Sequence, residues 1–166
     1  MNQNELDSAA ESIRDAARHV GSRFRRPDDD WAPMLFAIAA DGSVGEVVAL
    51  PPALMPQRTA AAAAISAILR NRHAAAAGLV VSIWSVKDRA WVDANPGRSF
   101  SECPSREEYL NCLVTDGTTD TLWSARIERV SARPPRLAEW EQADEVGGRL
   151  LGTLKTALLA NAAALN

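Results

Sequence analysis

An α+β fold is predicted for this chain, with helices packed on a mainly antiparallel five-stranded sheet in the order α-β-β-α-β-β-β-α. Three observations carry the prediction. Apolar residues recur at helical spacing near both ends of the chain and once between them. Short runs rich in β-branched and aromatic residues separate these segments. Two Asp-Gly dipeptides, Asp41-Gly42 and Asp116-Gly117, join neighbouring runs as tight turns, and hairpins make antiparallel pairs.

The first helix spans Asn4 to about His19. Leu6, Ala9, Ala10, Ile13, Ala16, Ala17 and Val20 form its apolar stripe, and Gly21 reads as a left-handed stop. Arg23–Asp30 is a charged connector broken by Pro27. Strands are predicted over Met34–Ala39 and Val44–Leu50, the second ended by Pro51-Pro52. Arg58–Arg72 is an Ala-rich helix anchored by Ile65, Ile68 and Leu69. Gly78–Val86 is the densest strand, and an irregular stretch follows over Lys87–Pro104. Tyr109–Thr115 and Thr121–Val130 form a second hairpin, and Pro134-Pro135 breaks the chain again. A last helix is expected from about Glu141 to Ala164, weakened by Gly147 and Gly148.

With 166 residues and no repeat or low-complexity linker, one domain over 1–166 is expected. The 18 basic and 21 acidic residues leave a net charge of −3, which gives no general attraction to nucleic acid or an anionic membrane. The polar start lacks the pattern of a secretory signal, and neither Ala60–Leu69 nor Leu150–Leu165 is long and apolar enough to span a bilayer. Cys103 and Cys112 read as free thiols, so a cytoplasmic location is expected.

Catalytic and metal chemistry find little support. His19 and His73 sit near predicted helix ends, where a cation complements the dipole, and no His/Cys spacing suits zinc. No cofactor is expected. Asp28-Asp29-Asp30 stand beside Arg23, Arg25 and Arg26; the arginines would suit a phosphate, but the aspartates cancel most of that field. Trp84 and Trp123 lie in strands and read as core, while Trp31, Trp91 and Trp140 flank elements, with Trp91 the best candidate for a functional surface. Gly148 and Gly152 have a spacing consistent with a close helix crossing.

Arg98–Glu108 carries the densest cluster of chemical groups: Arg98, Ser101, Glu102, Arg106 and Glu108 are its candidate binding residues. Trp84 on a strand, then Ser101, Pro104, Arg106 and Glu108 in the loop, then Ile127 and Arg129 after a hairpin, form a pattern of their own. Over Gly78–Leu137 the chain resembles a family of small uncharacterised bacterial and phage proteins. There, a tryptophan-bearing strand precedes a Pro-Ser-x-x-Pro-x-Arg-x-Glu-like loop and an Ile-x-Arg hairpin end. The chain departs from that pattern at Ser99 and Phe100, and its first proline is displaced to Pro96. The family has no established activity, so the resemblance supports the fold and implies no chemistry.

A non-enzymatic interaction protein is therefore expected, of the accessory kind that phages and mobile elements carry, inhibition of a host or defence complex being one form. Two alternatives stand beside it: an enzyme with a site between the Lys87–Glu108 loop and the sheet, and a chaperone of secreted proteins. A helix over Glu141–Ala164 would be about 36 Å long. It would overhang strands of about 26 Å, so Leu150, Leu154 and Leu158 are expected to meet a second copy or another protein.

Overall fold

The computed structural model describes residues 1–143 and 149–165; side chains at 58, 149–150 and 160–165 lie outside the description. The first helix, α1 (Gln3–Ser22), opens on a capping box in which Asn2 accepts from the Glu5 amide and Glu5 accepts from the Asn2 amide. It buries Leu6, Ala9, Ala10, Ile13 and Ala17, the stripe read from the sequence. Gly21 does not stop it. A Cβ there would stand 2.5 Å from the Trp31 ring, so the missing side chain makes room for an indole. Trp31, expected to flank an element, is 2% exposed and donates its ring N–H to the Ala17 carbonyl at 2.9 Å.

Strand β1 (Met34–Ile38) is buried at every position because helices cover both its faces. At the Asp41-Gly42 turn, Gly42 takes a φ of +82° and the bridge Ile38–Val44 closes the hairpin. The returning chain then leaves the ladder, its Gly45 amide bonding to the Ala37 carbonyl. The expected Val44–Leu50 strand is thereby reduced to β2 (Val48–Ala49), a short edge of the kind that resists unwanted pairing. After a 3₁₀ turn at Pro52–Leu54, helix α2 (Arg58–Asn71) buries Ala61, Ile65 and Leu69.

Strand β3 (Ala76–Ser85) holds the middle of the sheet and pairs along its length with β4 (Glu107–Thr115). The segment between them, expected to be irregular, contains a short helix, α3 (Arg89–Ala94), and a 3₁₀ turn at Phe100–Glu102. The hairpin at Asp116-Gly117 leads into β5 (Asp120–Glu128), with Gly117 at a φ of +95°. A sixth strand, β6 (Arg136–Gln142), follows the double proline and pairs with β5 across a bulge between Ala125 and Ile127. The sheet is antiparallel throughout and runs β2-β1-β3-β4-β5-β6, so it has six strands, one more than expected.

Period-two alternation divides the core. Met34, Phe36, Ile38, Val80, Leu110, Cys112 and Val114 pack beneath α1. Leu35, Ala37, Leu79, Val81 and Leu113 face α2 and the last helix, α4 (Arg149–Leu165). The strand β6 takes Glu141 away from the expected final helix. The described helix, 17 residues, is about 26 Å long. Leu154 is fully buried and Leu158 nearly so, both against α2 and the sheet rather than awaiting a partner. Val146, Gly147 and Gly148, and the side chains of Leu150 and Leu165, lie outside the described residues. A Cβ on Gly152 would meet nothing within 4 Å, so that glycine sits at no tight crossing. Among the described residues no helix is long and apolar enough to cross a membrane.

Candidate functional site

The densest side-chain chemistry gathers where β3 ends and β4 begins. Trp84 lies on β3 opposite Glu108 of β4 in the ladder register. It was expected in the core, yet it is 37% exposed, because its end of β3 runs past the helices that cover the preceding residues. Arg106 lies over its ring, with the guanidinium carbon 4.8 Å from the centroid, and donates to the Cys103 carbonyl at 3.1 Å. The cation–π contact and the hydrogen bond together hold the guanidinium over the indole.

Glu108 is 8% exposed and meets Arg129 two-pronged, Nε to Oε2 at 2.6 Å and Nη2 to Oε1 at 3.1 Å. The same guanidinium reaches the Asp29 carbonyl at 3.2 Å and the Asp30 carboxylate at 3.1 Å, tying the connector after α1 to the sheet. The hydrogen bond to Glu108 outweighs the effect of burial and raises the Arg129 pKa further. Once the Asp116-Gly117 hairpin is placed, Glu108 and Arg129 fall on one face of neighbouring strands by period two. That signal was present in the sequence.

A second ionic set frames the same region. Lys87 contacts Glu107 at 2.9 Å, the Tyr109 hydroxyl donates to the same carboxylate at 2.9 Å, and Arg126 links Glu107 at 3.4 Å to Glu128 at 3.2 Å. Hydrogen bonds from Lys87 and then Tyr109 hold Glu107 below its ordinary value of 4.5. Glu107 and Tyr109 in turn raise Lys87, while Glu128 and then Glu107 raise Arg126. A carboxylate with a depressed folded pKa contributes stability above its unfolded value and loses it as pH falls through the folded value. The frame should therefore survive acidification to the ordinary carboxylate range and open only below it. Carbon NMR titration of the Glu107 carboxyl is expected to give a midpoint under 4.5; a midpoint at or above that value would contradict the frame.

Between these sets lies an open groove of about 650 Å³, lined by Trp84, Pro104, Arg106, Glu108, Ile127 and Arg129 among others. Of the residues in the sequence pattern from Trp84 to Arg129, only Ser101 does not line it. Val130 is 58% exposed at its edge. Trp91, Arg98, Ser101 and Glu102 do not line it. Trp91 is half-buried on α3, whose start Asp88 caps by accepting from the Trp91 amide. Ser101 bonds Ser99 through its hydroxyl at 2.7 Å, and Arg98 approaches Glu102 at 3.8 Å, so these groups serve their own 3₁₀ turn. Cys103 is fully buried beside the Ser105 hydroxyl, and burial pushes the Cys112 thiol up to about 12. Neither thiol is presented as a nucleophile. Among the described residues no three His, Cys, Asp or Glu groups come together to hold a metal ion.

No protein-family model matches the chain, and neither curated proteins nor solved structures yield a match. The reading of the groove therefore rests on its own residues.

Proposed function

We propose that the protein is a non-enzymatic interaction protein and that a protein partner docks in the groove at Trp84. The observation that carries this reading is the exposed Trp84 indole with the Arg106 guanidinium over it. Tryptophan and arginine dominate the energetic centres of protein interfaces, and here both are held rigid beforehand. The surrounding charges favour a binder over a catalyst. The shifts at Lys87, Glu107, Arg126 and Arg129 all favour the charged form. General acid–base catalysis needs a group poised near the working pH instead. An accessory role belongs to this proposal, inhibition of a host or defence complex being one form.

The test is capture from the native host with the wild type and with Trp84→Ser and Arg106→Glu, each first shown to be folded by circular dichroism. A partner retained by the wild type should be lost with both variants. Remixed as a purified protein, that partner should bind each variant at least about 2 kcal/mol more weakly. Identical retained sets for all three proteins would sink the reading.

A further inference from the structure

A second hollow, of about 480 Å³, opens between the end of α1 and the start of β6, on residues that take no part in the docking groove. Its apolar wall is made by Phe24, Trp31, Pro134, Pro135 and Leu137, with Phe24 packed edge-on against Trp31 at 4.6 Å. Its charged wall is Arg18, Arg25 and Arg136, and no carboxylate lines it. We infer that this hollow binds a phosphomonoester that also bears a flat aromatic ring, the chemistry shared by nucleoside monophosphates and phosphorylated aromatic side chains.

The lining charges support an anion with several oxygens. Arg18 pairs with Asp15, and Arg25 and Arg136 make no ion pair with a carboxylate among the described residues. Three guanidiniums in one wall, with no carboxylate among them, suit the several oxygens of a phosphomonoester better than the two of a carboxylate. Of the aspartates that cancel this field in sequence, Asp30 turns away, whereas Asp29 stays beside Arg25 and Arg26 and offsets part of their charge without lining the hollow. Asp29 accepts from the backbone amides of Arg25 at 2.6 Å and Arg26 at 2.8 Å. Asp30 pairs with Arg129 and accepts from the Trp31 amide.

The end of α1 opposes the proposal, because helix carbonyls repel an anion. Local hydrogen bonds reduce that effect: Arg25 Nη1 donates to the Ser22 and Phe24 carbonyls, and the Ser22 hydroxyl donates to that of His19. The same bonds hold the Arg25 guanidinium at the rim. The Trp31 ring N–H is spent on Ala17 and the residue is 2% exposed, so Trp31 supports Phe24 from beneath and Phe24 offers the apolar surface.

The experiment is an NMR titration of the full chain, following the Trp31 indole and the arginine side chains. The probes are phenyl phosphate, inorganic phosphate, adenosine 5′-monophosphate and phosphotyrosine. Phenyl phosphate should give saturable shifts that weaken as salt is raised, and it should bind more tightly than inorganic phosphate. Arg25→Gln combined with Arg136→Gln, both at exposed positions, should weaken it at least about tenfold with the fold unchanged. Whichever of adenosine 5′-monophosphate and phosphotyrosine binds more tightly identifies the source, a free nucleotide or a modified protein. The inference is overturned by any of three results: no saturable shift at millimolar phenyl phosphate, equal affinity in the double variant, or inorganic phosphate binding as well as phenyl phosphate. Because none of these residues lines the Trp84 groove, a failure here leaves the docking reading to its own test.

Discussion

Leu154→Ala is expected to cost about 2–5 kcal/mol of folding stability, the loss seen when a large core side chain leaves a cavity. Leu154 has no exposed surface and belongs to one cluster with Ile65, Leu69, Leu79, Leu113, Leu151 and Leu158. Helix α4 lies along α2 and closes that side of the sheet. The loss should therefore be the same at low and high protein concentration. Stabilisation through a second copy would make it depend on concentration by mass action. Urea unfolding at two widely separated protein concentrations checks both points. A loss under about 1 kcal/mol, or one that grows on dilution, would mean that α4 is not part of this chain's own core.

Arg129→Ala should cost about 2–4 kcal/mol, somewhat less than breaking a fully buried ion pair. Glu108 is buried, but the Arg129 side chain is 34% exposed, and water screens part of the interaction. Deletion strands the Glu108 carboxylate and also frees the connector carbonyl and carboxylate that Arg129 holds. Replacing both partners, Glu108→Leu with Arg129→Leu, removes the stranded charge and should cost less than Arg129→Ala alone. If the double variant is as unstable as the single one, the penalty comes from lost packing and the ion pair contributes nothing. Denaturant midpoints of the three proteins decide this.

Elements defined by nearby residues were legible before the fold was known. The α1 stripe, the Ala-rich α2 with Ile65 and Leu69, the density of β3 and the two Asp-Gly turns depend on side-chain period and backbone freedom within a few residues. The sixth strand was not legible. Arg136, Glu139 and Glu141 resemble the charged first turn of a helix, and the bulge opposite Ala125 and Ile127 spoils strict alternation on an edge that water covers. Most of that strand was left unassigned between Pro134-Pro135 and the expected helix, which took in only its last two residues.

For the candidate site, the sequence located Arg106 and Glu108 but misplaced Trp31 and Trp84. Burial of an indole depends on how far a helix from elsewhere in the chain reaches. The end of β3 outruns its cover and leaves Trp84 exposed, while the missing side chain at Gly21 lets Trp31 sink beneath α1. The mixed charges of Arg23–Asp30 show the same division. Residue types and local order were written in the chain, and summed along it these charges cancel. Only tertiary packing separates them, sending Asp30 to Arg129 on β5's side and leaving Arg25 with Arg18 and Arg136 around the hollow. Electrostatic fields follow distance in space, and that distance is set by contacts between residues about a hundred positions apart.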